Sequence, residues 1–301
     1  MMLQKDVDFS IIIPSYNRAR SIQQTIYSVL EQSYKNFELI IVDDGSTDNT
    51  KEVVSKINDP RITYIFQENK ERGAARNTGI KNSRAQYVTF LDSDDRLYPN
   101  HLEEAILAIK AFAKPEWFHL PYDIRNAVGK LIQRPSIQLL KLKQPEIHLL
   151  KGNPLSCMGV FVKRDILLNN LFHEDRTLSG SEDWELWVRL GCHYPLLIHE
   201  KVTSCLIQHE NRSVINQNEF KIISRIEKAK ELTLSNECFK KRWWAYNGLV
   251  SSHLYAYASL HLAMAGNKRL SLKYIFKAIN NNFTFIFTRK FLGIIKAIFI
   301  S

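Results

Sequence analysis

Three carboxylates crowd into Asp92-Ser93-Asp94-Asp95, directly after the apolar run YVTFL at 87–91. Carboxylates two positions apart at a strand end can converge on one hard divalent cation. Mg2+ or Mn2+ suits such oxygens and completes its shell with phosphate oxygens and water. Taken alone, the cluster reads rather as a solvated turn that caps the next helix, because acidic side chains favour helix N-termini; its place after an apolar strand, beside two other polar strand ends, turns the reading to a metal site. Two other polar clusters, Pro14-Ser15-Tyr16-Asn17 and Asp43-Asp44-Gly45-Ser46, also end apolar runs. A second acidic pair, Glu182-Asp183, stands in SGSEDWELW, where Ser181 can cap a helix and both carboxylates favour its dipole.

The elements that must position these residues follow from the pattern. Residues 9–14 (FSIIIP), 37–42 (FELIIV), 62–66 and 87–91 read as buried strands. Between and after them, helices are predicted from Ser21 (as N-cap) to about Gln32 and over 51–57, 73–81 and 99–113. Such alternation means βαβ units and a mostly parallel sheet, with ligands outside the carboxyl ends of its strands. All three polar clusters fall there. Residues 115–210 are less regular, with strand-like pieces near 117–120, 158–162 and 196–198. From about 218 the texture is helical, basic and aromatic, which sets expected domains of 1–217 and 218–301.

The chain has 301 residues, 45% hydrophobic and 24% charged, a globular balance rather than a disordered one. Its net charge of +10 invites a nucleic-acid reading. However, residues 221–301 hold 14 Lys/Arg against 3 Asp/Glu, while the first 220 residues are almost neutral. A local basic surface is expected, not a polyanion-binding field over the whole molecule. Cys157, Cys192, Cys205 and Cys238 form no C-x-x-C pair, so they are expected to be small buried hydrophobes of a reducing cytosol. Residues 1–10 lack a signal-peptide core, and no run is apolar enough to span a membrane.

The order of IIIPSYNR (11–18), LIIVDDGSTDNT (39–50), RGAARNTGI (72–80), FLDSDD (90–95) and SEDWELWVRL (181–190) resembles family 2 glycosyltransferases. The likeness covers roughly residues 8–215. It implies the GT-A fold: a Rossmann-like α/β domain with a mixed, mostly parallel sheet flanked by helices, here with a C-terminal helical extension. It also implies a nucleotide-sugar donor, with UDP favoured over GDP or dTDP. Pro14, Tyr16 and Asn17 would line the base pocket, and Asp44, with Asp43 beside it, would accept from uracil N3–H. Arg72 would lie near the donor phosphates, Asp92 and Ser93 against the donor, and Asp92, Asp94 and His209 around Mn2+ or Mg2+. Asp183 would be the general base of a single inverting displacement. Trp184 and Trp187, three apart, are expected in the core.

The tail 283–300 (FTFIFTRKFLGIIKAIFI) mixes apolar, aromatic and basic residues and suits a membrane interface, or equally a packed helical subdomain. With the family likeness it implies a glycan or lipid-linked acceptor in bacterial cell-surface polysaccharide synthesis. The expected location is the cytoplasm, peripheral to the inner membrane. Two rival readings stand: a nucleotidyltransferase using the same acidic site, and a nucleic-acid-binding protein using the basic tail. No phosphate-binding P-loop supports the first, and no nucleic-acid signature supports the second, so no nucleic-acid partner is expected.

Overall fold

The computed structural model describes residues 7–134, 142–209 and 218–300. They divide into two units whose segments alternate along the chain. Unit 1 comprises Met1–Pro145, Leu155–Glu174 and Tyr194–His209; unit 2 comprises Glu146–Pro154, Asp175–His193 and Glu210–Ser301.

Unit 1 is organised on β1 (Phe9–Ser15), β2 (Phe37–Asp44), β3 (Ile62–Gln67) and β4 (Tyr87–Phe90), all paired in parallel. The apolar runs of β1 and β2 are continuous rather than alternating because both sheet faces are covered. Ile11 and Ile13 join the core with Ile22 and Ile26 of α1 (Ile22–Leu30) and Leu102 and Ala105 of α4 (His101–Ala111). Ile12 points the other way, towards α3 (Glu71–Asn82), while α2 (Thr50–Ser55) follows the β2 loop. Pro14 has no N–H to donate, and the β1–β4 ladder ends at Ile12, so proline interrupts no bond on that flank.

After β5 (Arg96–Leu97), β6 (Trp117–His119), β7 (Tyr122–Asn126) and β8 (Leu131–Gln133) come β9 (Val160–Lys163), β10 (Leu197–Ile198) and β11 (Ser204–Gln208). The main sheet has the order β10-β6-β9-β4-β1-β2-β3, with β9 antiparallel to both neighbours. A second sheet, β5-β11-β7-β8, carries the end of unit 1. The chain thus forms the expected mixed, mostly parallel α/β sheet flanked by helices. Ser21 occupies the N-cap position of α1, yet its side chain makes no capping bond; Arg18 O accepts from the N–H groups of Ser21 and Ile22 instead.

A short turn, α5 (Pro145–His148), and the 3-10 turn Leu149–Lys151 lead into unit 2, while α6 (Arg164–Asn169) stays in unit 1. Unit 2 is helical: α7 (Glu182–His193), α8 (Glu219–Ser235), α9 (Glu237–Arg242), α10 (Asn247–Met264), α11 (Lys268–Asn281) and α12 (Arg289–Ile300). Helix α10 packs on α8, α11 and α12. Asparagine caps start α8, α9 and α11, where Asn218, Asn236 and Asn267 accept from backbone N–H groups. Trp184 and Trp187 are buried, Trp184 donating to Leu149 O at 2.7 Å.

The cysteines depart from expectation. Cys192 and Cys238 form a disulfide between α7 and α9 with a Cα–Cα distance of 6.1 Å, while Cys157 and Cys205 are buried thiols. A separation of 46 residues gave no local signal for the pair. Among the described residues, no helix is long and apolar enough to cross a membrane.

Candidate active site

Strand pairing brings together two residues 115 positions apart. β5 runs antiparallel to β11, with Leu97 opposite Ser204 and Arg96 opposite Cys205. Asp95 extends that match: its carboxylate accepts from Ile207 N at 2.8 Å and its carbonyl from Thr25 Oγ1 at 2.9 Å. Buried and doubly bonded, Asp95 is a brace. Its neighbour Asp94 therefore meets the residue after β11, and His209 Nε2 lies 3.0 Å from Asp94 Oδ2. Arg18 NH2 is 3.4 Å from the same oxygen. Residues 210–213 of the CLIQHENRS stretch lie outside the described residues.

The Asp92 carboxylate takes another partner. Arg76, only 1% exposed, donates from NH2 to Asp92 Oδ1 at 2.9 Å and lies over the Phe172 ring. Its helix is held against the sheet by small residues. A Cβ on Gly79 would fall 2.4 Å from Ile12 Cγ2, so only glycine permits this approach of α3 to β1. Asn77 on the same helix exchanges hydrogen bonds with the Phe172 backbone and also donates to Glu174. Ser93 is buried. Ser15 Oγ, at the end of β1, is buried without a hydrogen-bond partner among the described residues, a candidate donor contact that sequence reasoning passed over.

The end of β2 is tied internally. Asp43 accepts from Ser46 N at 2.8 Å and Tyr64 Oη at 2.6 Å. Asp44 Oδ1 accepts from Gln67 at 2.6 Å and from Lys70 N at 2.9 Å, and burial raises the Asp44 pKa above the usual carboxylate value. Asn17, in the left-handed region at φ 52°, accepts from Thr47 N at 2.8 Å and so joins the β1 end to the β2 loop. Gly45 at φ 81° makes the turn, where a Cβ would meet Asn69 N at 2.9 Å. Tyr16 is exposed, Pro14 is buried within β1, and Arg72 is half-buried in the first turn of α3.

Asp183 belongs to unit 2. It opens α7, where its Oδ1 accepts from Trp184 N at 2.7 Å and its Oδ2 from Asn153 Nδ2 at 2.9 Å. Glu182 is buried and accepts from Gly180 N at 2.6 Å. The pair divides its work: Glu182 satisfies the backbone before the helix, while the half-buried Asp183 is the more accessible carboxylate.

Among the described residues, no three His, Cys, Asp or Glu side chains gather as a metal cage. Asp94 and His209 offer one oxygen and one nitrogen side by side. That pair fits a Mn2+-like ion that draws its other ligands from a diphosphate and water.

A family model described as glycosyl transferase family 2 matches residues 10–132. UDP-Glc:alpha-D-GlcNAc-diphosphoundecaprenol beta-1,3-glucosyltransferase WfgD of Escherichia coli is 32% identical over 220 residues, covering 72% of this chain and 82% of that protein. A glycosyltransferase of Rickettsia felis is 35% identical over 190 residues; the match takes 62% of this chain but only 30% of that protein's length, and a Rickettsia conorii relative gives the same proportions. Among solved structures, S. aureus TarS 1-349 in complex with UDP-GlcNAc superposes with a TM-score of 0.60 at 16% identity, covering 89% of each chain. A Pyrobaculum calidifontis mannosyltransferase in complex with GDP-Man and Mn2+ gives 0.56 at 18% identity, covering 93% of this chain and 88% of that one. With its strand-end motifs set on this sheet, the chain belongs to glycosyltransferase family 2 and has the GT-A fold.

Proposed function

We propose that the chain transfers a sugar from a nucleotide-sugar donor, UDP-linked by preference, to a hydroxyl of a glycan or lipid-linked acceptor. The observation that carries this is the cluster at the strand ends of unit 1: Asp94 facing His209 and Arg18, with Asp92 on Arg76. Carboxylates and an imidazole for a cation, beside arginines for phosphate oxygens, match a bound diphosphate. Asp94, His209 and Asp92 would hold Mn2+ or Mg2+, which when bound neutralises charge on the leaving diphosphate. Arg72 would meet donor phosphates, and Ser93 the donor ribose region. Pro14, Tyr16 and Asn17 would border the base, with Asp43 and Asp44 shaping that wall. Residues 1–217 would form the catalytic domain and 218–301 its basic extension.

Asp183 is the proposed base. It takes the proton from the acceptor hydroxyl as that oxygen attacks the anomeric carbon on the face opposite the nucleotide. The new C–O bond forms as the bond to the diphosphate breaks, leaving an inverted glycoside, free nucleoside diphosphate and a proton on Asp183. Asn153 orients this carboxylate through its 2.9 Å hydrogen bond.

The name of the E. coli relative specifies a diphosphoundecaprenol-linked acceptor, which favours a lipid-linked acceptor here too and a role in cell-surface polysaccharide synthesis. Exposed Phe283, Phe287, Leu292 and Phe299, interspersed with Arg289 and Lys296, support peripheral contact with an anionic membrane. The donor reading is tested by calorimetry with UDP-, GDP- and dTDP-sugars, with and without Mn2+. We expect UDP-sugar binding that requires the metal and is lost in Asp94→Asn. If no nucleotide sugar binds in the presence of metal, the reading is wrong.

A further inference from the structure

Arg225, a buried cation in unit 2, has no counterion among the described residues. Arg225 on α8 is 1% exposed, and its Nε and NH1 have no hydrogen-bond acceptor among the described residues. Among the described residues its NH2 donates to Tyr257 Oη, at 3.3 Å, and its guanidinium lies 5.2 Å from the centre of the Tyr257 ring. Burying a guanidinium with donors unspent costs stability unless a ligand supplies acceptors.

The surroundings add one more cation and several neutral donors. His253, Tyr257 and His261 recur every fourth residue and share one face of α10. The His261 ring lies 4.2 Å from that of Tyr257, and His253 lies against Phe285. Lys290 on α12 is half-buried, with no ion pair among the described residues, and burial lowers its pKa. Burial, then the charge of Lys290 and Lys151, brings His253 down to about 3; burial, then Arg225 and Lys290, brings His261 to about 4. These rings are therefore neutral at physiological pH, so each can donate one N–H without adding charge. The charge of Asp183 reaches this cluster, acting on Tyr257. From residue 238 to the end the chain has ten Lys/Arg and no Asp or Glu.

We infer that Arg225 and Lys290, with Tyr257 and His261, form an anion site for the phosphate or diphosphate group of the acceptor. Arg225 touches Tyr257, Tyr257 packs near His261, and the charges of Arg225 and Lys290 both reach the His261 ring, a grouping that suits a compact multivalent anion. The inference rests on the proposed lipid-linked acceptor and adds how unit 2 recognises it: the saccharide hydroxyl goes to Asp183 while the phosphate end anchors on α8, α10 and α12.

The test is titration with inorganic pyrophosphate, then geranyl diphosphate, in metal-free buffer, on the full chain and on Lys290→Gln, Arg225→Gln and Asp94→Asn. We expect Lys290→Gln and Arg225→Gln to weaken both ligands at least about tenfold, as loss of a charge-assisted bond implies. UDP binding with Mn2+ should stay unchanged in both, and Asp94→Asn should show the reverse pattern. Should the buried Arg225→Gln variant not fold, the more accessible Lys290→Gln carries the test alone. Wild-type affinity for pyrophosphate in Lys290→Gln would overturn the inference. So would a Lys290→Gln variant that loses only flotation with phosphatidylglycerol vesicles, since that makes the anion a lipid headgroup. If UDP fails to bind wild type while pyrophosphate binding depends on Lys290, the donor reading falls and the anion site stands.

Discussion

Replacing Gly79 by alanine tests how α3 is set against the sheet. The new Cβ would lie 2.4 Å from Ile12 Cγ2 and 2.9 Å from both Cγ1 and Cδ1. Carbon atoms rest about 3.5–4.0 Å apart, so helix and strand must separate by roughly 1 Å, or Ile12 must leave its rotamer. Ile12 is wholly buried in β1 and has little room to turn. Overpacking of this kind costs about 1–3 kcal/mol, whereas alanine in a helix interior gains about 1 kcal/mol over glycine. The net expectation is a loss of roughly 0–2 kcal/mol. Ile12→Ala alone should cost about 2–5 kcal/mol, but it removes the clashing methyl. The double variant should therefore be more stable than the two losses added together, by about 1 kcal/mol or more. Urea denaturation of the four proteins measures this. Arg76 lies on the same helix, so Gly79→Ala should also weaken UDP-sugar binding by moving its guanidinium from Asp92. A Gly79→Ala protein stabilised by the full helix-propensity gain of about 1 kcal/mol, or a strictly additive cycle, would refute the close-packing argument.

Two further outcomes concern the rest of the fold. Burial pushes His101, His119 and His253 down to about 3 and His261 to about 4, so they are neutral when folded and protonate when unfolded below about pH 6.5. The unfolded state then binds more protons, and stability should fall as pH drops from 6.5 towards 4, by up to about 1.4 kcal/mol per pH unit for each histidine. Urea melts that stay flat from pH 7 to 5 would contradict this. The Cys192–Cys238 bond encloses a 46-residue separation, and its reduction or Cys238→Ser should cost about 2–4 kcal/mol, read as a lower melting temperature. An unchanged melt in reductant would count against the pairing.

Much of the main sheet was legible because β1, β2 and β4 are short, buried apolar runs that end at proline or aspartate clusters. Strands β1, β2 and β4 fall where the apolar runs lie, and the pieces near 117, 160 and 197 become β6, β9 and β10. What local pattern could not supply was contact between distant residues. Spacing alone said nothing about Asp94 meeting His209, because an antiparallel register between β5 and β11 sets it. Asn17 reads as a pocket residue, yet its carbonyl oxygen ties down the β2 loop, a left-handed backbone position the sequence hides. Ser21 has the right type and place for a cap but not the backbone angles to use its hydroxyl. In unit 2, the grouping of Tyr257 and His261 of α10 with Arg225 of α8 depends on packing between helices, which no local pattern encodes.

The most direct measurement of the proposed chemistry is single-turnover sugar transfer by Asp183→Asn beside its UDP-sugar affinity with Mn2+. Asparagine keeps the shape and can still contact Asn153, but it cannot accept the acceptor's proton. We expect transfer to fall by about a thousandfold, in the range of a lost general base, with donor affinity unchanged. Transfer at the wild-type rate would contradict the assignment of Asp183 as the base.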